Sequence, residues 1–207
     1  MPCDARGWLT VVVLCAVAAL AAAGCYCPAT SSNCRVQQSA QTTAPSADEE
    51  AYAARRDEVI EWLKARNGYN DHVRKVVRYA ELLNEEYGAP ADPQVVEVAA
   101  LLHDCGYQIG KGPKKKVRDL HAELGAAAAR GLLPNTGFSA EFTDHVSHIV
   151  AAHHSVTKMD TPEWRAVWMA DLAVNRNIEV TDQAAGQALD ELQKRLEDRR
   201  DGQQSQR

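Results

Sequence analysis

The sequence predicts an all-α protein, a compact bundle of about six to seven helices, and three observations carry that expectation. Apolar residues recur at helical spacing through most of the chain after residue 46. Cap and stop residues punctuate those stretches at helix-sized intervals. No alternating run is long enough for a sheet, and no repeat of solenoid size is present. With 207 residues, 45% hydrophobic and 25% charged, the chain suits one globular domain plus appendages.

The first segment stands apart from the bundle. Trp8 to Ala23 is an Ala/Val/Leu run, short for a bilayer span and the right size for the apolar core of a signal peptide. Its leading end carries only Arg6 and the α-amino group against Asp4. The run ends LAAAGC, which resembles a bacterial lipobox in which Cys25 becomes the lipidated first residue, although Ala22 stands where leucine is commonest. Simple cleavage after Ala23 and an uncleaved anchor are the alternatives. The expected location is the cell envelope, lipid-anchored or secreted, and cytoplasmic if the segment is not a working signal. Residues 25–45 read as a flexible tether of Ser, Thr, Gln, Ala and Pro. Cys27 and Cys34 are able to pair in an oxidising compartment, but this spacing is no disulfide framework, and only Cys105 falls in the domain. Without residues 1–24 the charge stays at −5, with 22 basic against 27 acidic residues.

The domain is expected over residues 46–200. Ser46 and Glu49 have capping-box spacing, and helix signals run on through Ile60, Trp62 and Leu63 to Gly68. Asn70 caps a helix to about Tyr87, with Val73, Val76, Val77, Ala80 and Leu83 on one face and Gly88 as its stop. Asp92 and Pro93 start the helix that carries His103. Another spans roughly Val117 to Leu133 and stops at Pro134. Ser139 caps one ending near His154, and Thr161 with Pro162 starts one running through Asp171 to about Asn175. A last amphipathic helix, Asp182 to about Arg199, frays into a polar tail over 201–207. The net charge of −5 argues against nucleic acid as the main partner. The one basic cluster, Lys111, Lys114, Lys115, Lys116 and Arg118, is short and is expected in a solvated loop.

Chemistry concentrates at AALLHDCG, where an apolar helical run stops on His103 and Asp104. A buried carboxylate needs a compensating partner, and a divalent cation is one, since imidazole and carboxylate are its usual nitrogen and oxygen ligands. His72, His121, His153, His154 and Asp171 are the candidates to complete that shell. Taken singly, His72 reads as a capping or surface histidine and His121 as a hydrogen-bonded core histidine. Asp171, inside AVWMADLAV, calls for a specific partner. His145 and His148 are assigned to the surface or to support. Such an ordered set is hard to explain as packing alone.

The order His72, then His103–Asp104, then Asp171 resembles the H…HD…D signature of HD-domain metal-dependent phosphohydrolases. The flanking DHVRKVV, AALLHDCG and MADLA agree, over about residues 68–175. The resemblance implies a helical bundle whose four matching residues bind a divalent ion (manganese, iron, magnesium or another transition ion). His121 and the His153–His154 pair resemble the positions that add a second metal in dinuclear members, which makes one or two ions per chain. Here CGY follows the doublet in place of the longer HD-GYP motif, and Ser155 stands where that group carries glutamate. These differences argue against cyclic di-GMP hydrolysis and leave two-metal chemistry open. The implied reaction is hydrolysis of a small, nucleotide-like phosphomonoester or phosphodiester. A metal lowers the pKa of a coordinated water from ~15.7 towards ~7 and neutralises phosphoryl charge, and Asp104, with two oxygens, is placed to bridge two ions. Lys75, one turn after His72, and the Lys111–Lys116 stretch are the candidates for holding substrate phosphate. The rival reading is a tethered, non-catalytic metal- or ligand-binding module. Oligomeric state is not legible.

Overall fold

The computed structural model describes residues 44–86, 91–158 and 160–204. Ala44–Arg207 forms one compact unit. The expected signal peptide, Cys25, the Cys27–Cys34 pair, the tether up to residue 43, and the Tyr87–Gly88 helix stop lie outside the described residues. Among the described residues there are eight α-helices and no strand: α1 Ala47–Lys64, α2 Asp71–Glu86, α3 Pro93–Leu102, α4 Gly106–Ile109, α5 Lys114–Leu132, α6 Ala140–Ala152, α7 Pro162–Arg176 and α8 Ala185–Gln204. A 3-10 turn, Leu133–Thr136, follows α5 directly. No described helix is long and apolar enough to cross a membrane.

The helix starts follow the local chemistry of the caps. Ser46 and Glu49 close a reciprocal capping box, with Ser46 N donating to Glu49 Oε2 at 2.6 Å. Asn70 accepts from Val73 N at 3.0 Å, Asp92 from Gln94 N at 2.9 Å, Ser139 from Phe142 N at 3.1 Å and Thr161 from Trp164 N at 3.2 Å. Pro93 and Pro162 occupy the first turns, where a missing N–H costs nothing.

Helix α3 is the centre of the bundle. Val95, Val96, Val98, Ala99, Ala100, Leu101 and Leu102 are all buried, and a helix apolar on every side must be enclosed. It packs against α1, α2, α6 and α7, while α2 also packs on α7, α5 on α6, and α8 on α2 and α7. The end of this enclosed helix, His103, is therefore also at the molecule's centre, with no exposed surface.

Four differences from the sequence-based expectation have physical reasons. The turn α4 is too short for periodicity to reveal. Helix α5 begins at Lys114, so Lys114, Lys115, Lys116 and Arg118 are helical and only Lys111 of the basic cluster lies in a loop. Pro113, with φ −59°, presets the helical turn, and Lys115 pairs with Asp119 at 2.7 Å. Pro134 does not break the chain direction at once, since the 3-10 turn carries it to Gly137 at φ 86°. Helix α8 starts three residues late and continues to Gln204, taking in the first residues of the expected tail.

Candidate metal centre

Five segments deliver side chains to the end of α3. His72 comes from the first turn of α2, His103 and Asp104 from the end of α3, His121 from α5, His153 and His154 from the end of α6, and Asp171 from the middle of α7. Three packing details place them. Gly106 brings α4 against α5 so closely that a Cβ there would lie 1.9 Å from His121 O. Trp164 Nε1 donates to Ala152 O at 3.0 Å, tying α7 to the turn that carries His153. Buried Glu163 accepts from Asp92 N at 3.1 Å, fixing the start of α3 against the start of α7.

The result is one continuous cluster with two halves. His72, His103 and Asp171 form one group and Asp104, His121, His153 and His154 the other, each with ligand-type atoms within 4.8 Å of one another. His72 Nε2 lies 3.2 Å from His103 Nε2 and 3.3 Å from Asp171 Oδ1. His121 Nε2 lies 2.9 Å from His154 Nε2. Asp104 stands between the halves and divides its oxygens: Oδ2 is 3.5 Å from both His72 and His103 Nε2, and Oδ1 is 3.4 Å from His121 Nε2 and 3.6 Å from His153 Nε2. Asn175 Nδ2 donates to Asp171 Oδ1 at 2.8 Å and orients that carboxylate.

The donor set fits a divalent cation. His103, His121 and His153 each donate Nδ1–H to the carbonyl three residues back, on Ala100, Arg118 and Val150, at 2.7, 2.6 and 2.6 Å. A carbonyl only accepts, so Nδ1 carries a proton in each ring and Nε2 faces the cluster, and in the metal-binding form that Nε2 would present a lone pair, as metal-ligating histidines commonly do. Lone pairs facing lone pairs repel unless a cation lies between them. Buried His153 Nε2 has no hydrogen-bond partner among the described residues. Bonds of ~2.1 Å at right to tetrahedral angles put neighbouring donors about 3.0–3.4 Å apart, close to the spacings observed.

The electrostatics agree. Burial works against the charge on Asp104, but the positive charge that His103 and His153 can carry beside it outweighs burial and holds the carboxyl far below the ordinary carboxylate range. Asp171 is likewise buried, and its hydrogen bond with His72 and the charge on His103 keep its pKa lowered. Burial also holds His154 down to about 4, with His153 adding to the effect. Its ring, tilted against that of His153 with centroids 3.9 Å apart, is neutral at physiological pH although the residue has an exposed edge.

Tyr107, which the sequence did not single out, stacks on His121 with ring centroids 4.1 Å apart and an interplanar angle of 15°. It lines a cavity of about 450 Å³ with Lys114, Lys115 and Arg118, so the basic cluster borders the His121 side of the centre. Lys75 is exposed, and its ammonium rests 5.5 Å from the Tyr79 ring centre, further along α2. His145 Nε2 faces Glu163 Oε2 at 3.6 Å, and His148 borders a separate cavity with Glu123 and Lys158.

This is a helical scaffold with a His/Asp cluster able to hold a divalent metal. The HD domain family model matches residues 69–198, and the chain belongs to that family. The match takes in α8, beyond the reach of the motifs themselves. A solved structure from an uncultured Thermotogales bacterium, titled as a predicted HD superfamily hydrolase, is 21% identical over 76% of this chain and 91% of that chain, with a TM-score of 0.41. No curated protein matches the chain.

Proposed function

We propose that the protein is a metal-dependent phosphohydrolase that uses water to cleave a small, nucleotide-like phosphomonoester or phosphodiester. The observation that carries this reading is the division of Asp104, one oxygen to each half of the cluster. In it His72, His103, Asp171 and Asp104 would hold one ion, and His121, His153, His154 and Asp104 would hold a second. Ions bound there supply Lewis-acid activation of water and neutralise charge on the phosphoryl oxygens. The chain's own work is positioning. The carbonyls of Ala100, Arg118 and Val150 aim three imidazoles, and Asp104 and Asp171 bring the negative charge that offsets a dication in a buried site. Lys75, exposed and one turn from His72, is the cation for substrate phosphate on that edge. The envelope location is part of the same proposal: Cys25→Ser should release the protein from membranes or leave an unprocessed precursor, and unchanged fractionation would overturn lipid anchoring.

Metal analysis of the purified protein, with a phosphomonoester and phosphodiester screen on the same sample, tests the central reading. Asp104→Ala should lose most bound metal and at least ~100-fold in turnover, because one carboxylate serves both halves. Full metal content and turnover in that variant would remove the proposal. Stoichiometric metal with no ester turned over in the wild type would favour a binding module.

A further inference from the structure

A cavity of about 200 Å³ opens onto the cluster from the α7–α8 side, and the function so far leaves its outer wall unused. His153, His154 and Asp171 border it on the cluster side. Trp168, Arg176 from the end of α7 and Arg199 from α8 complete that side of the molecule. Leu172, Arg176 and Arg199 also line an adjoining hollow of about 180 Å³, together with Arg195 and Asp198, so the two spaces share the arginines and make one groove leading away from the imidazoles.

These two cations differ from their neighbours in having no carboxylate to answer them. Arg195, on the same helix, is paired with Glu191 at 2.6 Å, and Arg200 with Asp160 at 2.7 Å. Among the described residues neither Arg176 nor Arg199 has a carboxylate within 4 Å. The Arg199 guanidinium instead rests over the Trp168 ring, 5.5 Å from its centre, which keeps the fork at the cavity wall with its N–H groups free. The backbone is anchored there as well, because Arg200 Nε donates to Val156 O at 3.1 Å and ties α8 to the loop after His154. Two exposed guanidiniums with no carboxylate within 4 Å among the described residues, beside a His/Asp cluster able to hold a metal, form a geometry that suits oxyanions, since guanidinium forks bind phosphate in a bidentate manner.

We infer that Arg176 and Arg199 form a subsite for a second anionic group of the substrate, next to the phosphoryl group held at the His/Asp cluster. The inference rests on the phosphohydrolase reading for the position of the first group. It narrows the substrate class to small molecules carrying two neighbouring anionic groups, such as a diphosphate or a phosphate beside a carboxylate. The groove beyond Arg176 gives the rest of the molecule a path along α7 and α8.

Equilibrium dialysis of the full chain with its bound metal, against methylenediphosphonate and methylphosphonate, tests this without turnover. The wild type should bind the diphosphonate at least ~10-fold more tightly than the monophosphonate, a difference of about 1.4 kcal/mol. Arg176→Ala with Arg199→Ala should bring that ratio close to one, leaving methylphosphonate affinity and metal content unchanged. Arg176→Lys with Arg199→Lys should restore part of it. The control pair Lys64→Ala, at the end of α1, and Arg66→Ala, in the turn after it, removes the same charge and should keep the full ratio. A wild type without the preference, a preference that survives the double substitution, or a variant that loses its metal would each overturn the subsite. If the ratio collapses as expected while no phosphoester is hydrolysed, the subsite stands and the hydrolase reading falls.

Discussion

A carboxylate as buried as Asp104 would ordinarily be driven towards its neutral form, and here the charge that His103 and His153 can carry beside it reverses that. Its neighbour Cys105 has no such help. Burial first, and then the Asp104 charge, push the thiol up to about 12. Cys105 should therefore resist iodoacetamide at pH ~8 in the folded protein and react fully once unfolded, as peptide mapping would show. Rapid labelling of the native protein would mean that the turn after α3 opens readily. The sign of the linkage follows from the raised pKa. The thiol's contribution to stability is complete below its ordinary value of 9.0 and is lost as pH climbs through about 12, so Cys105→Ala should flatten the alkaline limb of the melting curve. His103, Asp104, His153 and His154 were visible in the sequence because few polar side chains sit at apolar helix ends without a partner, and Asp171 because it interrupts an apolar run. Tyr107, Arg176 and Arg199 were not, because an exposed tyrosine or arginine has nothing in its local surroundings to mark it. Their significance comes from what they face across helices.

At the scale of the helices, legibility tracked the range of the interactions. Ser46, Asn70, Asp92, Ser139 and Thr161 act two or three residues away, so each start could be read directly. The start of α5 could not. Three lysines oppose the helix dipole there and Pro113 offers no side-chain cap, so the local signal favoured a loop, while the fixed proline φ and tertiary packing favour the helix. The single turn α4 packs closely on α5. That contact gives opposite predictions for two glycines. Gly106→Ala would drive a Cβ into His121 O and should cost about 3 kcal/mol or more, with loss of His121 from its place. Gly131→Ala, near the end of α5 with nothing within 4 Å of the added atom, should be neutral or gain up to ~0.5 kcal/mol. Urea denaturation of the two variants checks both signs. Equal stabilities would mean that α4 is free to move away from α5.

Over the whole molecule, sequence order named the side chains but not their meeting point, which exists only once α2, α3, α5, α6 and α7 have packed around the end of α3. That convergence makes a bound ion a cross-link between parts of the chain up to about 100 residues apart, from His72 to Asp171. An unfolded chain cannot present the same set, so binding free energy adds to folding free energy. At free metal ~100-fold above Kd, one site contributes ~2.7 kcal/mol, and for a unit of this size each kcal/mol moves Tm by about 2–4 °C. Chelation should therefore lower Tm by about 5–10 °C for one ion and by more for two. The variants then separate the halves. His154→Ala lies far from the His72–His103–Asp171 group in the coordination scheme, so under two ions it should remove about half of the bound metal and only part of the chelator-sensitive Tm. Asp104→Ala, which answers to both halves, should remove nearly all of it. If His154→Ala leaves both metal content and the Tm shift untouched, the centre holds a single ion on the His72 side. The close approach of His121 and His154 would then be held by a shared proton between the two rings.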